Sequence, residues 1–330
     1  MGIDRQAWLE LASGHGLDAP SRQRLLALAE FDAEPAALKF WLPRGLGIVG
    51  AALGGLGVIF WVAANWGSLG RLAQMALLQA WVLVTALGAW ARPGAARAPL
   101  ALLAFLGIGA LLAFIGQTYQ TGADPWQLFA LWALLGLPLA WAVRHDIVWA
   151  PWAAVAMTGV ALWQRTHTAH RWRFEAQDLQ PQALAALAAV LLVLLLGTPL
   201  RRLSGAGAWA LRTAVMLASV LLAGLAIGGL LQSSVGLQYP LGLLTVAAGV
   251  ALMASRRWFD LFALSALALA LNVLLIGGLV RLLFAQPIRS DPISQLLVIG
   301  LVAAGLLAFS VSQILKLARQ RAAQGTGEAA

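Results

Sequence analysis

Cysteine is absent from all 330 residues. That excludes disulfides, thiolate nucleophiles and cysteine-based metal sites. Charge is scarce too, at 11% of residues, against about 25% in a soluble domain. No Asp or Glu stands at the centre of an apolar run. Proton-driven carriers generally use an intramembrane carboxylate or histidine, so this scarcity disfavours them. There is no nucleophile–histidine–acid arrangement, no phosphate-binding P-loop and no dinucleotide-binding glycine fingerprint. An enzyme is therefore disfavoured, and no cofactor is expected. The first 44 residues hold no long apolar stretch. A cleavable secretory signal would place one far nearer the start, so the first apolar run reads as an uncleaved signal anchor.

What is present is oil. The hydrophobic fraction is 61% and the mean hydropathy +0.82, against roughly 45–50% apolar in soluble domains. Apolar windows of about 20 residues recur, each long enough to cross a hydrocarbon layer of about 30 Å. The expected fold is all-α: a polytopic membrane helix bundle of about ten transmembrane helices, preceded by a short amphipathic helical hairpin. The spans fall near 46–66, 72–91, 98–116, 126–143, 147–163, 182–198, 210–231, 239–255, 260–284 and 293–314. Sixteen of the 22 Lys and Arg then lie on the side of the N-terminus. This bias places both termini in the cytoplasm of a bacterial cell, with the bundle in the inner membrane. The net charge of +9 comes in ones, twos and threes between spans, which is how topology determinants look, and no nucleic-acid partner is expected. Trp41, Trp66, Trp90, Trp126, Trp141, Trp149, Trp163, Trp209 and Trp258 lie near span ends, where an indole prefers the headgroup layer. Gly50-x-x-x-Gly54 and Gly224-x-x-x-Gly228 have the spacing of close helix contacts, although such spacings arise easily by chance in this composition.

Three regions follow: a cytoplasmic hairpin over 1–44, a transmembrane bundle over 45–315 and a short disordered cytoplasmic tail over 316–330. In the hairpin, Gly14-His15-Gly16 ends the first helix, and Asp18 opens the second with Pro20 in its first turn.

One connection differs from the rest. Gly116-Gln-Thr-Tyr-Gln-Thr-Gly-Ala-Asp-Pro-Trp126 is polar but uncharged except at Asp124. Its second half has an ordinary explanation, because Asp124-Pro125-Trp126-Gln127 spells a helix start. Asp is the N-cap, Pro takes the first helical position and Gln returns a hydrogen bond as in a capping box. On that reading Gly116 ends the third helix, Gly122 supplies a turn, and Asp124→Ala costs about 1 kcal/mol. The capping motif does not account for Gln117, Thr118, Tyr119 and Gln120, four consecutive hydrogen-bonding side chains. They are either part of a corner only, or of a corner that also lines a pocket. Asn65 and Trp66 close the first span on the same face, as a C-cap and an interface anchor. Alternatively Asn65 pairs with the 117–124 segment, since a buried amide at the edge of hydrocarbon needs a partner.

Other polar residues have narrower readings. Gln74, Gln79 and Asn272 lie within spans, and interhelical hydrogen bonding is their ordinary role. Arg281 can snorkel from the outer end of the ninth span. His167-x-x-His170 has a helical ligand spacing but no third ligand, so no metal site is expected.

The ordered set of Gly16-Leu17, Ala63-Ala64-Asn65-Trp66, Gly116-Gln117-Thr118-Tyr119, Asp124-Pro125 and Leu131-Trp132-Ala133-Leu134 resembles the bacterial membrane proteins catalogued as domain of unknown function 2157. The resemblance covers roughly residues 3–145. It implies a membrane protein and carries no assigned activity.

The sequence thus points to a non-enzymatic, membrane-embedded binding or assembly module with a polar site on the outer face. Its partners are the lipid bilayer and a lipid headgroup, small polar ligand or membrane protein. A transporter or channel is the alternative, with an enzyme acting on lipid-linked substrates a weaker one.

Overall fold

The computed structural model describes residues 14, 18–21, 24, 36–64, 67–91, 94–119, 122–168, 178–285 and 292–327. Its helices are α1 (Ala36–Ala64), α2 (Arg71–Ala91), α3 (Arg97–Tyr119), α4 (Pro125–Val143), α5 (Asp146–His167), α6 (Leu179–Leu195), α7 (Ala208–Leu230), α8 (Gln238–Ala254), α9 (Leu261–Ala285) and α10 (Pro292–Gly327), with one extra turn at Arg201–Ser204. No strand occurs among the described residues. Eight of these helices are long and apolar enough to cross a membrane, and α6 and α8 are shorter apolar helices of 17 residues. The all-helical membrane bundle read from the sequence is the observed fold, and each expected span coincides with a helix.

Two boundaries move. Helix α1 begins at Ala36 and runs through Pro43, so residues 36–44 continue into the first span instead of belonging to the hairpin. Arg44 lies back along this helix, donating to the Phe40 carbonyl at 3.0 Å with its guanidinium over the Phe40 ring. At the other end α10 continues to Gly327, where the sequence reading has a disordered tail. Alanine, glutamine, lysine and arginine are good helix formers, and Arg321 anchors the extension by donating to the Ala254 carbonyl at 3.1 Å.

The chain divides into two compact units, 1–50 and 51–330. Most of the expected hairpin lies outside the described residues. Within it, the Ser21 amide donates to the Asp18 carboxylate at 3.2 Å, as an N-cap requires. The Ser21 hydroxyl and then its amide hold the Asp18 carboxyl below its ordinary value. A depressed folded-state value means stabilisation that is present above the unfolded carboxylate range and lost as pH falls through the lowered value. The protection of the Ser21 amide, taken relative to its intrinsic exchange rate at each pH, should fall on acidification through that window. Asp18→Asn, whose cap does not titrate, should show no such step.

In the second unit the helices are apolar almost all round, because lipid replaces water as their outer surroundings. Leu72, Trp90 and Leu231 are among the large apolar side chains left exposed. Two buried clusters fill the interior. The first joins α2, α3, α4, α5, α6 and α7 around Phe105, Trp149, Trp152 and Met157. The second joins α7, α8 and α9 around Leu211, Val246, Leu264 and Leu274. Helix α7 contributes to both and is the most deeply buried span, whereas the apolar window of α10 buries none of its residues.

Glycine is spent where aromatic rings press on a neighbouring helix. A Cβ at Gly109 would meet the Trp132 ring, and one at Gly136 the Phe105 ring at 2.5 Å. These two reciprocal contacts, with Trp132 Nε1 donating to the Phe105 carbonyl at 2.8 Å, fix α3 against α4. At Gly50, Gly54 and Gly224 a Cβ would meet nothing within 4 Å.

Candidate functional site

The helix ends that carry most of the basic residues are joined by capping contacts. Asp146, the first residue of α5, accepts from the amides of Gly207 (2.8 Å), Trp209 (2.7 Å) and Ala210 (3.1 Å). It thereby caps the N-terminus of α7 from another helix. Trp149 Nε1 donates to the Ser204 carbonyl at 2.9 Å, and Arg144, in a left-handed conformation with φ 54, donates to the Arg202 carbonyl. Arg212 forms an ion pair with Asp260, its Nε donating to both carboxylate oxygens at 3.0 and 3.2 Å, while Asp260 accepts from the Ala263 amide at 2.9 Å at the start of α9. Asp146, Trp149, Arg144, Arg212 and Asp260 are thus engaged in holding helix ends, whereas the buried Nε of Arg201 has no partner.

The opposite face carries the 116–126 segment. Gly116 does not end α3; the helix continues to Tyr119, and Gly122, at φ 64, makes the turn. On a helix Gln117, Thr118 and Tyr119 fan out by about 100° per residue and cannot share one wall. Gln117 and Tyr119 are exposed and Thr118 is half-buried. Asp124 is exposed and stands at the N-cap before Pro125, but its side chain makes no capping hydrogen bond. The turn is closed by the backbone instead, with the Gln127 amide donating to the Asp124 carbonyl at 3.0 Å. The capping loss expected of Asp124→Ala therefore has no side-chain bond behind it. Asn65, Trp66 and Gln120 lie outside the described residues, as does His170.

The interhelical candidates separate. Gln74 is buried and Gln79 is exposed on α2. Asn272 is buried, and its Oδ1 accepts from the Ser310 hydroxyl of α10 at 3.1 Å while its Nδ2 has no partner. Arg281 is turned onto the protein, its Nη2 donating to the carbonyls of Gln232 at 2.9 Å and Ser233 at 2.8 Å just beyond α7. Among the described residues no group of three His, Cys, Asp or Glu could hold a metal ion.

Trp126 is where the segment turns inward. Its ring stands edge-on to His167 at 5.9 Å, and His167 stacks on Trp163 at 4.7 Å. The Trp126 Nε1 is buried without a hydrogen-bond partner. Below this aromatic cluster a groove of about 910 Å³ runs between α4, α5 and α6, lined by Ala130, Leu134, Trp152, Gly159, Ala188 and Leu191 among others. From Trp126 to Leu137 it follows α4 for about three turns, roughly 16 Å. Its floor is firm, since Trp152 is buried and donates from Nε1 to the Ala133 carbonyl at 2.8 Å. Sequence reasoning places Trp126 and Trp163 only as interface anchors. Their spacing along separate helices carries no signal that they meet at the end of a groove.

No curated protein and no solved structure matches the chain. Over residues 10–149 it matches the family described as predicted membrane protein, domain of unknown function 2157 (DUF2157), the same family that its ordered N-terminal motifs resemble.

Proposed function

We propose that this membrane protein is a non-enzymatic binding module whose ligand is a membrane lipid. The hydrocarbon chain lies in the groove between α4, α5 and α6, and the polar end of the lipid meets Trp126 and His167. The observation that carries this reading is one buried, unpartnered indole N–H at the end of a long groove with almost wholly apolar walls. The volume lies within the range of about 300–1,000 Å³ typical of ligand sites. A partner helix with an apolar face would fill the groove but offer the N–H no acceptor. A lipid offers an ester or phosphate oxygen at the depth where an indole sits. Transport has less support, because the polar residues that motivate it do not line one path: Asn272 is bound to Ser310 and Gln79 is exposed. The charge bias supports an inner-membrane protein with both termini in the cytoplasm, which puts the Trp126 corner on the outer leaflet.

Native mass spectrometry of the full-length protein, extracted from its membrane, tests this. Wild type should retain one phospholipid. Ala188→Phe, which fills the groove, should lose it, and Trp126→Phe, which keeps the ring but not the N–H, should retain several-fold less. Equal lipid retention in wild type and Ala188→Phe would overturn the assignment, as would a protein subunit occupying the groove in place of lipid.

A further inference from the structure

The two short helices, α6 and α8, each span only about 25 Å. Between them and α7, near the face that carries Trp126, lies a cavity of about 50 Å³ lined by Leu179, Gln182, Leu222, Gln238, Gly242 and Thr245. Gln182 is 2% exposed, and neither the oxygen nor the nitrogen of its amide has a hydrogen-bond partner. Gln238 is also buried. The Thr245 hydroxyl donates to the Leu241 carbonyl at 2.7 Å, which leaves its oxygen able to accept. The polar lining continues toward the 231–237 loop. There the amide oxygens of Gln232 and Gln238 close over the Cβ position of Gly236, and the Gln232 nitrogen is again buried without a partner.

A buried amide with neither end satisfied is strongly disfavoured, and an ordered water or ion is one of the ways native proteins satisfy such a group. The donor and acceptor pattern selects that ligand. A metal cation would satisfy only the oxygens and an anion only the nitrogens, and no charged side chain lines the cavity. Water does both. One water needs about 10–15 Å³ of probe-occupied volume, so the cavity has room for more than one.

We propose that Gln182, Gln238 and Thr245 form a buried water-binding site that links α6 to α8, supplied past Gln232 from the 231–237 loop. The neighbouring cavity of about 180 Å³ shares Leu222 and Thr245 but is otherwise lined by apolar residues such as Val193, Val215, Leu267 and Met253. It is expected to be dry, because apolar cavities do not hold water. The site is independent of the lipid groove and stands on a different observation.

Radiolytic hydroxyl labelling of the intact protein separates a wet chamber from a dry one, since bound water is activated in place. Leu222, buried in the wall of the wet cavity, should be labelled several-fold more than Leu267, which lines only the dry one. In Gln182→Leu the excess at Leu222 should fall. Its melting temperature should stay level or drop, because Gln238 and Thr245 lose their bridge. If the amide were merely orphaned, replacing it with an apolar group of similar size would raise the melting temperature. A Leu222 signal no greater than that of Leu267 in wild type overturns the proposal whatever the variant does.

Discussion

Trp149→Ala should destabilise the bundle by about 4 kcal/mol, within the range of large-to-small core substitutions. Trp149 is fully buried, edge-on to Trp152 at 5.1 Å and to Trp141 at 6.2 Å. Lipid is as apolar as the core, so little of the loss is transfer free energy. The cost comes from the cavity and from the unmade bond to Ser204. Trp149→Phe separates the two contributions: it keeps most of the ring volume and should cost about 1–2 kcal/mol for the missing hydrogen bond. Thermal melts in one detergent measure both, and the alanine variant should fall by roughly 10 °C. A loss for Phe equal to that for Ala would show that the hydrogen bond, not the packing, dominates.

Asp146→Ala should cost about 2–3 kcal/mol, more than an ordinary N-cap of about 1 kcal/mol. Its carboxylate serves three amides at the start of α7, and hydrogen bonds to charged acceptors are the stronger kind. Helix α7 is the span both core clusters share, so fraying there loosens both. Hydrogen exchange should rise selectively over residues 207–211, and Asp146→Asn, with one acceptor oxygen left, should fall between wild type and alanine. An unchanged exchange rate at those amides in Asp146→Ala would show that the cap is not what holds them.

How far the sequence was legible differs by residue. The ten apolar windows predict the ten helices because hydrocarbon requires each crossing segment to satisfy its own backbone, a condition written in local composition. The Asp18 cap is legible for the same reason: its hydrogen-bond partner is three residues away. Trp149 is not. Its position near a span end reads as an interface anchor, yet the indole is buried against Ser204, 55 residues later in the chain. Asp146 reads as the first-turn acid of its own helix, and nothing local shows that it caps α7. The polar run at 117–120 illustrates the reverse case. Its composition is unusual, but the described part is helical, so its side chains fan apart, and the groove begins at Trp126 instead.

Composition alone therefore determined that this chain is a helical membrane protein, where its spans lie and which ends are basic, since those properties follow from the cost of bringing polar groups into hydrocarbon. Only the tertiary structure decided which tryptophan is core and which faces a groove, which aspartate caps a distant helix, and which glutamine is left with no partner. Each depends on which face of one helix meets another. In helices that are apolar almost all round, periodicity does not mark that face, so it is set by the close fit of glycine and alanine against aromatic rings.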